Sequence, residues 1–282
     1  MAKMKRTYDK VEEVDGALIQ HGHLNNRIYL MDINDAAPKK LIEQLNKLAT
    51  KEHYTKIFAK VPSSCAEYFL KADYRKEASV PRFYGREGSA VFLSRYLDKS
   101  RGICSNAHAL NELLDFAISK GTKKPDSVFQ MGTVRRCTEE DSKTMASLYN
   151  SVFLTYPFPI FDSEYLRKTM KSHIIYFGIE VSEKLVALAS ADINDKYGNV
   201  EFTDFATMSR WCGKGFAAHL LRVMEAEVKK LKITTAYTIT RAASPGINSI
   251  FAGNGYTYSG TLMNNTNIYG RIESMNVWYK HL

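Results

Sequence analysis

Cysteine is scarce in this chain, four in 282 residues (Cys65, Cys104, Cys137 and Cys212), and the four lie too far apart for a paired metal-ligand spacing. Without a secreted context they read as free thiols, so neither a disulfide framework nor a zinc site is expected. Long apolar runs are missing too: no segment approaches the roughly 18 residues that a membrane span needs. The basic segment Met1 to Lys10 leads into Val11-Glu12-Glu13-Val14-Asp15 and not into an apolar core, so no secretory signal is readable and a cytoplasmic location is expected. Charge of one sign is nowhere concentrated. Residues 1–130 carry 22 Lys and Arg against 16 Asp and Glu, and residues 131–282 carry 17 against 14. A nucleic-acid surface gathers its cations into a stripe with interleaved aromatics; a net charge of +9 dispersed among acids suits a small polyanionic ligand better. His21 and His23 stand two apart with no third ligand near and read as a surface pair.

What is present is a glycine-rich turn, Arg210-Trp211-Cys212-Gly213-Lys214-Gly215-Phe216-Ala217, between an alternating stretch (Asn199 to Thr207) and a helical stripe of Ala217, Leu220, Leu221, Met224, Val228 and Leu231. Such a turn gathers backbone N–H groups and the positive end of a helix dipole at one point, which is a seat for a phosphate. In the strand before it, unbroken alternation places Glu201, Thr203 and Phe205 on one face and Val200, Phe202 and Asp204 on the other, so the two acids should point opposite ways.

Around the turn the pattern predicts a helix over 139–153, a Pro-Phe-Pro loop at 155–161, a short helix over 163–172 and a hairpin of 174–181 with 184–193. Beyond it come a strand over 234–241, a helix opened by Ser244-Pro245 and closing at Gly253 to Gly255, and two strands, 256–262 and 274–280, around a long asparagine-rich turn. The first half runs strand (27–33), helix (38–52), strand (55–61), short helix (65–71) and two strands (77–84 and 90–96), the same order as the second half from Asn199 onward. It lacks the glycine turn. The breaker and charge run Lys120 to Asp126 sets a boundary near residue 130. The expected architecture is therefore α/β with mixed sheets: an ancillary domain, 1–130, that is a degenerate relative of the second, 131–282.

The second half resembles the GNAT superfamily of acetyl-CoA-dependent N-acetyltransferases, whose signature is a Gln or Arg, two residues, a glycine, one residue, then a glycine or alanine. Arg210, Gly213 and Gly215 fit it literally; placement against the helix prefers Cys212, Gly215 and Ala217. Glu201 to Thr207, Tyr237 to Ala242, Glu273 to Lys280, Tyr156 to Pro159 and Asn26 to Leu30 resemble the β-lysine N6-acetyltransferases over nearly the whole chain.

The resemblance implies acetyl-CoA as cosubstrate, no metal, and a small-molecule amine as partner, the terminal amine of a β-lysine supplied by a lysine 2,3-aminomutase. The product would be a compatible solute. Oligomeric state stays open, and neither nucleic acid nor membrane is an expected partner. Cofactor contacts would come from Phe205, Ala206 and Thr207 toward pantetheine, from Cys212, Gly213, Lys214, Gly215, Phe216 and Ala217 toward the pyrophosphate, and from Asn248 and Phe251. Glu201 falls where relatives keep a general base, with Asp204 its rival. The helix tyrosine that protonates the departing thiolate in many relatives is replaced by Phe251, leaving Tyr256 and Tyr258 as candidates for the acid. Tyr156, Phe158, Asp204, Asn264, Asn265, Glu273 and Asn276 would line the amine pocket. Two alternatives stay open: acetylation of another amine, such as a polyamine or a protein lysine, and a CoA-binding regulatory module without turnover.

Overall fold

A computed structural model describes residues 8–86, 88–121 and 131–282. The first half builds a sheet of six strands: β1 (Lys10–Val14), β2 (Ala17–Gly22), β3 (Arg27–Asp32), β4 (Lys56–Pro62), β5 (Arg75–Val80) and β6 (Ala90–Tyr96), with α1 (Pro38–Lys51) and α2 (Ser63–Leu70) between them and α3 (Ala107–Ser119) after them. The second half builds seven: β7 (Thr133–Arg136), β8 (Ile174–Val181), β9 (Lys184–Asn194), β10 (Asn199–Thr207), β11 (Thr235–Arg241), β12 (Thr257–Ile268) and β13 (Arg271–His281), with α4 (Ser142–Val152), α5 (Ser163–Met170), α6 (Phe216–Lys230) and α7 (Pro245–Gly253). Sequence periodicity passes over the hairpin β1–β2 and the helix α3. It also gives the last two strands too short, because Asn264, Asn265 and Asn267 lie inside β12 and the turn is only Tyr269-Gly270. β7 opens the second half, and the proposed boundary near 130 lies outside the described residues.

The strand orders are β1-β2-β3-β4-β6-β5 and β12-β13-β11-β10-β9-β8-β7. From β1 and from β8 onward they match step for step. β3 and β4 are parallel around α1 as β10 and β11 are parallel around α6, and each parallel pair is flanked by antiparallel partners. Each crossover helix buries an apolar stripe on its sheet: Leu41, Ile42, Leu45 and Ala49 in α1, and Leu220, Leu221, Met224 and Val228 in α6.

A third apolar cluster joins the halves, packing Tyr29, Phe58, Phe83 and Phe92 against Tyr149, Tyr156, Tyr237 and Met275. Where β5 meets β12, Gly260 (φ 155°) approaches so closely that a Cβ would stand 2.0 Å from the Glu77 carbonyl oxygen, and Ser259 Oγ accepts from Ser79 N at 2.8 Å. Buried Lys56 donates to the Met263 carbonyl at 2.7 Å. Among the described residues, no helix is long and apolar enough to cross a membrane, and the four cysteines are free. His21 departs from expectation: it is buried, with Nδ1 on the Tyr54 hydroxyl at 3.0 Å and Nε2 on Glu12 at 2.8 Å, while His23 is exposed.

Candidate active site

β10 and β11 pair only over Asn199↔Thr235, Val200↔Ala236 and Glu201↔Tyr237. Beyond Glu201 the two strands separate, and the β11-side edge of β10 has no ladder partner. The cause lies in β10. Between Thr203↔Ser190 and Ala206↔Leu188 it carries one residue more than β9, and Asp204 takes a left-handed φ of 55°. An aspartate tolerates that conformation, and a bulge of this kind bends the strand and re-aims a side chain.

The opening continues into a cavity of about 1970 Å³ lined by both halves of the chain. At one end stands the glycine turn: Gly213 (φ 77°) and Gly215 (φ 81°) have open space around a would-be Cβ, so conformation and not crowding calls for glycine there. Gly215 is the N-cap of α6, no side chain caps the helix, and its first turn has no acid. That end is electropositive, with Lys214 and Arg222 in the wall. Lys214 Nζ also lies 4.6 Å from the centroid of the Trp211 ring.

Deeper in the cavity stand Asp192, Glu201 and Asp204. Asp192 is the cross-strand partner of Glu201. Glu201 is pushed up to about 7, first by burial and then by Asp192; Lys60 and a hydrogen bond from Tyr237 act in the other direction. Burial also raises Asp204, against hydrogen bonds from the Ser190 and Tyr156 hydroxyls, each 2.6 Å long. Asp192 is raised too, though its side chain keeps 41 % of its surface open. The bulge thus overturns the expectation that the two acids of β10 diverge: both face this cavity. Carboxyls raised in a partly dry site, Glu201 to about 7 and Asp192 to about 6, can take up a proton near physiological pH.

The family model described as the acetyltransferase (GNAT) family matches residues 143–249, which include the bulge, the opening and the glycine turn. The β-lysine N(6)-acetyltransferase of Methanococcus maripaludis is 35% identical over 272 residues, 96% of this chain and 98% of that protein. Its namesake from Methanosarcina mazei is 31% identical over 84% of this chain and 95% of that protein. The chain belongs to the β-lysine N6-acetyltransferase family of the GNAT superfamily. It is therefore an N-acetyltransferase of the acetyl-CoA-dependent GNAT type. The N-acetyltransferase YodP of Bacillus subtilis is 28% identical over 94% of this chain and 96% of that protein.

In this acetyltransferase the structure brings Phe205, Thr207, Cys212, Gly213, Lys214, Gly215, Phe216 and Ala217 to the cavity wall, together with Glu201, Asp204, Tyr156, Phe158 and Asn265. It leaves others out. Tyr256 is buried behind α7, edge-on to Phe251, with its phenol toward Glu225; it does not line the cavity and does not fit the general-acid role. Phe251 is fully buried outside the lining and contacts the wall residue Phe205 edge-to-face. Tyr258 likewise lies outside the lining, its hydroxyl 2.7 Å from that of Thr261.

Asn248 has its polar atoms committed: Oδ1 accepts from Thr240, Asn276 and Trp278, and Nδ2 donates to the carbonyls of Arg241 and Ser244. Asn276 belongs to that network and also accepts from Thr261, so neither amide is left for a ligand. Asn264 donates to the Arg101 and Ile103 carbonyls. Glu273 is buried outside the lining, paired with the wall residue Arg241 and with exposed Arg271, and Ala206 is buried in the sheet. Cys212 Sγ is exposed in the glycine turn, 3.6 Å from the Thr207 carbonyl oxygen. Sequence reasoning missed Asp192, Lys60, Arg27, Tyr29 and Tyr237, all in the wall. Only Asp192 left a signal, since pairing of the two central strands sets it opposite Glu201.

Proposed function

We propose that this enzyme transfers the acetyl group of acetyl-CoA to the terminal amine of β-lysine (3,6-diaminohexanoate), giving Nε-acetyl-β-lysine. The observation that carries the reading is the single cavity that joins an uncapped, glycine-fronted helix N-terminus to three carboxyls, with Arg27 and Lys60 beyond them. A phosphate-bearing donor suits the first end, and a substrate with two ammonium groups and one carboxylate suits the rest. The names of two relatives support the same substrate.

The glycine turn holds the pyrophosphate on backbone N–H groups, with Lys214 and Arg222 as nearby cations, and the open edge of β10 at Phe205 to Thr207 pairs with pantetheine. An unperturbed amine of pKa about 10.4 is neutral in only about one molecule in 2,500 at pH 7, so attack on the thioester requires a proton acceptor. Glu201 takes that proton, directly or through one water. A backbone N–H freed at the opening of β10 steadies the oxyanion. The thiolate departs without help from α7, which carries no ionisable side chain; a thiol of pKa about 8.5 is a stable enough leaving group.

The chain divides into a degenerate GNAT-like domain, residues 1–130, and a GNAT domain, residues 131–282, with the first serving as the substrate-side wall. The enzyme works in the cytoplasm on the product of a lysine 2,3-aminomutase, and its own product serves as a compatible solute. The absence of a cavity-facing tyrosine on α7 favours one other reading, a CoA-binding module without turnover. Following free thiol with acetyl-CoA and β-lysine, lysine, spermidine or a histone peptide decides among them. Release with β-lysine foremost is expected. Release with spermidine alone would sink the substrate, and CoA binding without release on any amine would favour the regulatory module.

A further inference from the structure

Arg27 is a buried cation with an unmet hydrogen bond. It opens β3, is 4 % exposed, and lines the cavity with its guanidinium 5.4 Å from the ring centroids of both Tyr29 and Phe58. Nη1 donates to the Asn265 carbonyl at 2.5 Å and to Thr266 Oγ1 at 3.2 Å, but Nε is buried with no acceptor. Among the described residues no carboxylate lies within 4.0 Å of it. The acids that act on it from farther away, Asp9 and Glu77, are engaged elsewhere: Asp9 by Leu24 and Asn25, and Glu77 by Lys56, Ser94, Tyr96 and the Met263 N–H. A buried charge costs several kcal/mol unless a counter-charge meets it. Asn265 has the complementary defect. The residue lines the same cavity, is 1 % exposed, and leaves Oδ1 buried with no donor.

We propose that Arg27 and Asn265 together form the head-group site of the substrate, the guanidinium taking the carboxylate and the Asn265 Oδ1 accepting from the 3-ammonium of a β-amino acid. This deepens the β-lysine reading and rests on it. The two orphaned atoms are of opposite polarity and belong to residues already joined by the Nη1 bond, one from each half of the chain. A carboxylate and an ammonium two carbons apart present the matching pair. The rings of Tyr29 and Phe58 hold the planar guanidinium in place. Other cations share the wall: Lys60 stands in the field of Asp192 and Glu201, as its effect on both shows, and serves the amine end, while Arg241 is already paired with Glu273. Tyr29 marks the direction of the chain between the ends, since its phenol feels Glu201 and Arg27 alike.

The test measures kcat/KM by thiol release for β-lysine, for 1,4-diaminopentane, which lacks the carboxylate, and for 6-aminohexanoate, which lacks the 3-ammonium. The wild-type enzyme should prefer β-lysine to both. Arg27→Gln should lower kcat/KM for β-lysine about 10- to 100-fold, in line with one charged hydrogen-bonded contact, while leaving 1,4-diaminopentane and the KM for acetyl-CoA nearly unchanged. Asn265→Ala should erase the preference over 6-aminohexanoate. Arg27→Lys, which keeps charge but loses the fork, should give an intermediate preference and supplies the readout should Arg27→Gln not fold. A wild-type enzyme that prefers 1,4-diaminopentane overturns the substrate reading and this site with it. A wild-type enzyme that prefers β-lysine, with selectivity unchanged in both Arg27 variants or lost in Lys60→Gln instead, overturns this site alone.

Discussion

The two parallel strand pairs at the centres of the two sheets share a topology and differ in whether they stay closed. β3 and β4 pair over Arg27↔Lys56, Ile28↔Ile57, Tyr29↔Phe58 and Leu30↔Ala59, four of the six residues of β3, and α1 begins at Pro38 behind a non-glycine N-cap, Ala37. β10 and β11 pair over three positions of a nine-residue strand, and α6 begins behind Gly213 and Gly215. Closed, the unit is a wall whose side chains, Arg27, Tyr29, Phe58 and Lys60, reach into the cavity. Opened by one bulge, it leaves a strand edge without a ladder partner, where the proposed reading seats the donor. One arrangement of strands thus yields two kinds of surface, a closed wall of side chains and an open backbone edge, according to a residue or two at the bulge and the turn.

The comparison can be broken in several places. Removing the carboxyl at the opening has the largest expected effect: Glu201→Gln should cut kcat by about 10²- to 10³-fold. The wild-type enzyme should show a rise in kcat/KM as pH passes through about 7, where Glu201 is expected to ionise, and the variant should lose it; a retained rise would pass the base role to Asp192 or Asp204. Next is the seam between halves. Gly260→Val should cost about 3 kcal/mol or more in urea unfolding, because the Glu77 backbone cannot yield the 2.0 Å approach. If the melt instead splits into two transitions, the halves fold independently.

At the turn, Gly215→Val forces a β-branched residue to φ 81°, costing about 1–3 kcal/mol. KM for acetyl-CoA should rise about 10-fold or more, with KM for the amine little changed. The pH dependence of stability follows from the same carboxyl. Glu201 binds its proton more tightly folded than unfolded, so between about 4.5 and 7 the native state holds more protons and stability falls as pH rises. Urea melts at pH 5 and 8 should differ less in Glu201→Gln than in wild type, by on the order of 1–3 kcal/mol. Smallest is Tyr156→Phe, which removes the 2.6 Å bond to Asp204 and should cost about 1–2 kcal/mol with the glycine turn unaffected.

Much of this was legible in the sequence where the signal is local. The stripe of α6 and the Ser244-Pro245 start of α7 rest on spacing within one element, and the structure places those two helices within a residue or two of expectation; the paired rhythm of the halves holds in order, with β5, β12 and β13 bounded differently from expectation. Alternation failed at Asp204, because a bulge is one extra residue and nothing in Glu201 to Thr207 announces it. Asn248 looked available because its five hydrogen bonds come from residues up to 30 positions away. Arg27 was invisible as a site residue for the same reason: its partner Asn265 lies 238 positions along the chain. The asparagines of β12 were read as a turn by composition, whereas pairing with β13 draws them into a strand with its own irregularity, Asn264 at φ 42°.

Incubating the enzyme with β-lysine and acetyl-CoA and locating the new acetyl group by NMR decides the matter. The arrangement of an acid-lined opening at the thioester and a cation at the far end predicts one acetyl per thiol released, all of it on N6. Acetylation at N3, or thiol release with spermidine and none with β-lysine, would contradict it.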